Sequence, residues 1–265
     1  MHGLGNDFVI IDTRMQSITF TTEQIKLLGN RNLGIGFDQL VIIKNGFKKG
    51  VSAHLNFWNS DGSESSTCGN ATRCVADILM SEINSDEIIL STNDHEILCQ
   101  KQKNNLISTN LGKPKVGWEE IPLSVECDTL KLPLEGNPVA TSMGNPHCTY
   151  FVKDIDKSSI INIGKETENH SLFPKKTNVQ VAEIIDQSTI KMKVWERGCG
   201  ITMASGSSAC AVVVASYRLG LTKNYVKILL DGGTVFVEWK EDGVWLTGPT
   251  SFVFSGKIPE DLLKI

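Results

Sequence analysis

At 265 residues the chain is long enough for one large or two medium domains, each burying its own core. A composition of 40% hydrophobic and 21% charged residues, with Gly 23 and Pro 8, excludes collagen-like, low-complexity and disordered chains. The net charge of −4 argues against a nucleic-acid partner, because phosphate binding leans on an excess of Lys and Arg.

In chain order, Phe8–Asp12 reads as a short strand. Thr21–Arg31 reads as a helix opened by the cap Thr21-Thr22, with Ile25, Leu27 and Leu28 at helical spacing. Leu40–Lys44 and His54–Asn59 read as strands, and Ser60-Asp61-Gly62-Ser63 as a turn. The small-residue loop Cys68-Gly69-Asn70-Ala71 leads into a helix carrying Val75, Ile78 and Leu79, and a meander follows in Ile88–Thr92, His95–Gln100 and Asn105–Asn110. The second half replays this plan with strands Cys148–Val152, Val179–Ile185 and Thr189–Trp195. Glu196-Arg197-Gly198-Cys199-Gly200 breaks the last of these, and Ala204-Ser205-Gly206-Ser207-Ser208 opens an apolar helix running to about Leu219. Val226–Leu230, Thr234–Trp239 and Val244–Thr247 complete the set before Gly248-Pro249. Few helices and many short strands separated by Gly and Asp turns predict an α+β fold with mostly antiparallel sheets. The shared plan predicts two helix starts facing each other across an interdomain cleft, a common place for ligands.

The seven cysteines, at 68, 74, 99, 127, 148, 199 and 210, are odd in number and scattered, so neither a disulfide framework nor a structural zinc site is expected. The opening MHGLGNDFVIID lacks a basic segment followed by an apolar one, and no apolar run approaches membrane-spanning length. A soluble cytoplasmic protein with reduced thiols and no membrane partner is the expectation. Gly34-Ile35-Gly36 does not continue into GxGxxG, and there is no GxxxxGK[ST], HExxH or GxSxG.

Cys68 is the residue most suited to chemistry. A thiol at a helix start meets unpaired N–H groups and the positive end of the dipole, both of which favour the thiolate. The following amides can hold a carboxylate, so one segment could bind an acid and present a base to the neighbouring carbon. The alternative is a small cysteine buried in a loop. Cys74 and Cys210, among apolar helix residues, read as core, and Cys199 reads either as filler or as a neighbour of the site. Arg197 reads either as a bidentate carboxylate clamp or as an exposed ion pair. Asn6, Asn59, Asn70, Asn145 and Asn178 fall in loops or at strand ends, where turn chemistry is the competing reading. His147 could tune a thiol or be structural.

Taken together, Met1-His2-Gly3-Leu4-Gly5-Asn6-Asp7-Phe8, Gly34-Ile35-Gly36-Phe37-Asp38-Gln39, Asn59-Ser60-Asp61-Gly62-Ser63-Glu64 and Cys68-Gly69-Asn70 carry a resemblance. So do Ser142-Met143-Gly144-Asn145-Pro146-His147, Glu196-Arg197-Gly198-Cys199-Gly200 and Gly206-Ser207. Over nearly its whole length the chain resembles the diaminopimelate epimerases, whose members carry a few residues before the first of these motifs and are often dimeric. The resemblance implies two similar mixed α/β domains related by a pseudo-twofold, at 1–112 and 113–265, with a C-terminal strand that could return to the first. It implies a site in the cleft between them and a small-molecule amino-acid substrate. The activity it implies is cofactor-independent epimerisation of LL- to meso-2,6-diaminopimelate, a step toward lysine and peptidoglycan precursors, with no metal.

Carried over by position, Cys68 matches the first catalytic cysteine, and His147 and Glu196 match residues that keep the thiols in working protonation states. Gly69, Asn70, Gly206 and Ser207 match the helix starts that hold the reacting carboxylate. Asn6, Gln39, Asn59, Asn145, Asn178, Glu196 and Arg197 match the substrate pocket. The departure is Ser205, which stands where the family has its second catalytic cysteine. A hydroxyl is a far weaker acid than a thiol, so its alkoxide is scarcely available as a base. Three accounts fit: an engineered Cys-to-Ser change, a natural relative that racemises or dehydrates another amino acid, or replacement of the thiol by Cys199 or Cys210. A catalytically silent amino-acid-binding homologue is the alternative outside enzymes.

Overall fold

The computed structural model describes residues 1–16, 18–65 and 68–263. The chain divides into two compact units, one made of Met1–Thr109 with Gly248–Ile265 and the other of Asn110–Thr247.

The first unit holds β1 (His2–Gly3), β2 (Asn6–Asp12), α1 (Thr22–Gly29), β3 (Gln39–Asn45), β4 (Ala53–Asn59), β5 (Glu64–Ser65), α2 (Gly69–Ile83), β6 (Glu87–Ser91), β7 (Glu96–Lys101) and β8 (Ile107–Asn110). Strand β3 shows why they pack as they do. Its run Leu40-Val41-Ile42-Ile43 is buried throughout, and side chains alternate across a strand. Val41 and Ile43 join Leu55, Phe57 and the apolar face of α2 in one core. Leu40 and Ile42 join Ile25 and Leu28 of α1 on the other face, with Ile258, Leu262 and Leu263 packed against them. A strand covered on both sides reads as a continuous apolar run rather than an alternating one. The C-terminal segment is tied to this unit by the paired backbone bonds of His2 and Ser251 and by Thr250 Oγ1 donating to Asp77 at 2.5 Å.

The second unit holds β9 (Val139–Ser142), β10 (Pro146–Val152), α3 (Ile160–Glu168), β11 (Asn178–Asp186), β12 (Thr189–Glu196), β13 (Gly200–Thr202), α4 (Gly206–Arg218), β14 (Tyr225–Leu230), β15 (Gly233–Lys240) and β16 (Gly243–Gly248). Helix α4 is buried nearly all round, Ala209 to Ala215 being wholly inaccessible, which is why its sequence is small and apolar without a polar stripe.

The second unit repeats the first element for element. β9–β10 and β1–β2 are antiparallel, and β10–β11 and β2–β3 are parallel. The next pairs, β11–β12 and β3–β4, are antiparallel, while β12–β14 and β4–β6 are parallel. Antiparallel hairpins finish both halves. The registers also agree. Phe8 lies opposite Gln39 as His147 lies opposite Asn178, and Trp58 lies opposite Glu64 as Trp195 lies opposite Ile201. Cys68 and Ser205 each follow four residues later, each as the N-cap of its helix.

Helix α3 is absent from the sequence reading. Its Ile160-Ile161-Asn162-Ile163-Gly164 start is rich in β-branched residues and has an interior glycine, all poor helix formers. Gly164 is explained by packing, since a Cβ there would sit 2.7 Å from Trp195 Cβ. Among the described residues no helix is long and apolar enough to cross a membrane.

Candidate active site

Four helices show two kinds of N-terminus. α1 and α3 are capped by side chains, Thr21 accepting from the Gln24 amide and Ser159 from the Asn162 amide. Neither Cys68 nor Ser205 makes a capping bond to its helix, although serine is among the best capping residues. Both have extended backbones, at φ −148° and −137°. The first helical bonds run from Thr72 N to Cys68 O and from Ala209 N to Ser205 O. The amides of 69–71 and 206–208 therefore lie outside the helical ladder. Such a set of N–H groups, at the positive end of a dipole, can receive a carboxylate.

In the first unit the half-buried Cys68 donates through Sγ to Asn6 Oδ1 at 3.9 Å. Asn70 Nδ2 donates to the same oxygen at 3.2 Å, and Arg73 Nη2 donates to Asn70 Oδ1 at 2.9 Å. Arg73 is wholly buried. Asn6 Nδ2 donates to Asp38 Oδ2 at 2.8 Å, and Arg31 bridges the Asp7 and Asp38 carboxylates. Burial opposes ionisation of Asp7, but Arg31 and the Asp38 amide outweigh it and hold its pKa below the usual value. Gln39 Nε2 donates to Asn59 Oδ1, whose Nδ2 donates to Ser63 Oγ.

In the second unit His147 is wholly buried on β10. An amide nitrogen can only donate, so Gln180 Nε2, 3.0 Å from His147 Nδ1, makes Nδ1 the acceptor. The proton then sits on Nε2, which donates to Asn145 Oδ1 at 2.8 Å. Burial first, and the charge of Arg197 second, push this imidazole's pKa down to about 3, so the ring is neutral at ordinary pH. Gln180 also donates to Ser208 Oγ in the first turn of α4. Asn178 accepts from the Arg197 amide at 3.0 Å, and the exposed Arg197 donates to Lys175 O. Glu196 accepts from Thr202 Oγ1 at 2.6 Å. Ser205 is only 5% exposed, with Gly206 and Ser207 beginning α4 behind it.

Sequence reasoning therefore named Asn6, Cys68 and Asn70, which hydrogen-bond as one group, and Gln39 with Asn59 as a second. In the other unit it named Asn145 with His147, Asn178 with Arg197, Glu196, and the Ser205–Ser207 helix start. Cys210 is wholly buried in α4, and Cys199 is exposed in the turn after β12. Four supporting residues were missed. Asp38 lay inside a quoted motif, and Arg73 was visible as a lone cation on an apolar helix. Gln180 stood as a polar residue between Val179 and Val181. Glu168 gave no signal until its partners, Trp195 Nε1 at 2.7 Å and Gly198 N at 3.0 Å, could be seen.

The family described as diaminopimelate epimerase matches residues 1–116 and 139–253. A protein of that name from Rhodospirillum centenum is 39% identical over 268 residues, spanning 99% of this chain and 92% of its own. One from Pelagibacter ubique is 43% identical over 261 residues, spanning 95% and 94%. Among solved structures, a Bacillus anthracis phenazine biosynthesis protein of the PhzF family has a TM-score of 0.62 at 14% identity, covering 94% of this chain and 91% of its own. A hydroxyproline epimerase from Agrobacterium vitis has a TM-score of 0.63 at 10% identity, covering 93% and 87%. At such identities the likeness is one of fold.

Proposed function

The chain belongs to the diaminopimelate epimerase family, and from that premise we propose that it inverts the α-carbon of 2,6-diaminopimelate, interconverting the LL and meso forms. The observation that carries the proposal is the pair of matched helix starts, each left uncapped by the residue best placed to cap it.

In two-base epimerisation one group removes the α-proton from one face while another delivers a proton to the opposite face. Cys68 is assigned one of these roles and position 205 the other. The helix-start amides of Gly69, Asn70, Gly206 and Ser207 receive the α-carboxylate, and preorganised dipoles of this kind stabilise charge developing on the carbon. No electron-sink cofactor enters the scheme. Asn6, Gln39, Asn59, Asn145, Asn178, Glu196 and Arg197 are assigned to the rest of the substrate. His147 and Glu196 are assigned to holding the proton-transfer groups in their working states, His147 as a neutral imidazole. Lysine and peptidoglycan precursor synthesis, in the cytoplasm, is the setting this activity serves.

With a hydroxyl at 205, the direction that needs a base there is the slower one, because an alkoxide is far less available than a thiolate. The test follows exchange of the α-hydrogen with D₂O by NMR, on LL- and meso-diaminopimelate separately, in this chain and in Ser205→Cys. A positioned acid–base group contributes on the order of 10²–10⁴-fold, so the thiol variant should be faster by about that factor. No epimerisation of diaminopimelate by Ser205→Cys would sink the proposal. The serine also favours a second reading, a family member that binds an amino acid without turning it over. Tight binding with no exchange in either form is its signature.

A further inference from the structure

The amides behind Cys68 are ordered by what stands at the two ends of their chain. A guanidinium can only donate hydrogen bonds and a carboxylate can only accept them, whereas an amide can turn over and do either. Arg73 donates to Asn70 Oδ1, which obliges Asn70 to present Nδ2 onward to Asn6 Oδ1. At the other end Asp38 accepts from Asn6 Nδ2, which obliges Asn6 to keep Oδ1 on the opposite side. Each end therefore imposes the same polarity, and Asn6 faces the Cys68 sulfur with an oxygen. An acceptor at that place favours the thiol over the thiolate, and a donor would do the reverse.

We propose that Arg73 and Asp38 are positioning residues that lock the amide of Asn6 with its oxygen toward Cys68, so that Cys68 rests as a proton donor. The proposal deepens the reading of Cys68 as a proton-transfer group and rests on it for its meaning in catalysis. The device belongs to this unit alone. Arg73 lies five residues after the N-cap Cys68, and the residue five after Ser205 is the buried Cys210. Burying a whole guanidinium is expensive, and it is retained here where the matching helix has a small apolar residue.

The experiment needs no substrate, so its failure is separable from failure of the epimerase assignment. The rate of Cys68 alkylation by iodoacetamide is followed against pH, peptide by peptide, in the full chain. Either end alone still fixes the polarity, so the decisive variant is Asp38→Asn/Arg73→Gln, in which both ends can donate as well as accept and Asn6 is free to turn its nitrogen toward sulfur. Asp7→Asn removes an equal charge nearby, but the Asp7 carboxylate is engaged by Arg31 and the Asp38 amide rather than by Asn6. The expected result is a fall in the thiol pKa for Asp38→Asn/Arg73→Gln, seen as alkylation at least about threefold faster on the acid side of the profile than in the equally charged Asp7→Asn/Arg73→Gln. Arg73→Gln alone, with Asp38 still holding Asn6, should keep the oxygen toward sulfur and leave the pKa no lower than that of the parent. Arg73→Lys in the Asp38→Asn background, again donor-only, should return Asn6 to the parent orientation and abolish the acceleration. An Asp38→Asn/Arg73→Gln profile indistinguishable from that of Asp7→Asn/Arg73→Gln overturns the proposal. If Arg73→Gln does not fold, Asn70→Ser, which cuts the link between Arg73 and Asn6, takes its place in both double variants.

Discussion

Replacing His147 by glutamine should change how stability responds to acid as well as stability at neutral pH. In the folded chain the ring stays neutral down to about 3, through burial first and the Arg197 charge second. In the unfolded chain it takes a proton near its ordinary 6.5. Lowering the pH therefore favours the unfolded state, and stability that is whole above pH 7 is lost progressively from 6.5 toward 3. The slope for one proton is about 1.4 kcal/mol per pH unit, so this group alone removes roughly 2 kcal/mol between pH 7.5 and 5. Glutamine can keep one of the two hydrogen bonds, to Asn145 or to Gln180. Its own cost, about 1–3 kcal/mol for a buried polar group left short of a partner, does not vary with pH. Urea unfolding followed by tryptophan fluorescence at several pH values measures both proteins, and the remaining histidines cancel in the difference. The gap between them should shrink by roughly 2 kcal/mol on going from pH 7.5 to 5. A constant gap would refute the reasoning, because it would mean that the folded ring takes up its proton as readily as the unfolded one.

Three other outcomes can be checked. Burial opposes ionisation of Glu168, yet Trp195, the Gly198 amide and Lys176 together hold its pKa below the usual 4.5. Its contribution is whole above 4.5 and is lost as pH falls through the depressed value, so Glu168→Gln should cost about 1–3 kcal/mol near neutrality and less below pH 4 by thermal or urea unfolding. Gly164→Ala should be destabilising by about 1–2 kcal/mol, because overpacking against Trp195 outweighs the better helix propensity of alanine; a gain in melting temperature would contradict this. Ser159→Ala should cost about 1 kcal/mol, whereas Ser205→Ala should stay within about 0.5 kcal/mol, since only Ser159 caps its helix. Equal losses would show that Ser205 caps in solution.

The contrast between helix starts and their supports explains what could be read without coordinates. Cys68-Gly69-Asn70 and Ser205-Gly206-Ser207 were legible because a helix start is local, marked by small residues ahead of an apolar run. Strand β3 was legible for the same reason, as four consecutive apolar residues. Helix α3 was hidden because Gly164 answers to Trp195, a partner far along the chain. The His147–Gln180 bond depends on the parallel register of β10 with β11, and Arg73 acquires its meaning from burial beside Asn70. The first is not encoded locally, and the second is an i,i+3 pair whose burial is set by the rest of the unit.

The return of residues 248–263 to the first unit has a consequence for how the chain is made. His2 is synthesised long before its partner Ser251, so this closure waits for every residue between them. Strand β1 leads through the Leu4-Gly5 turn to Asn6, the residue that meets Cys68. The stretch from Asn110 to Thr247 is synthesised inside that open loop, as an insertion in a unit still lacking residues 248–263. The bonds that pin the strand ahead of Asn6 therefore form only after the whole of the second unit has been made.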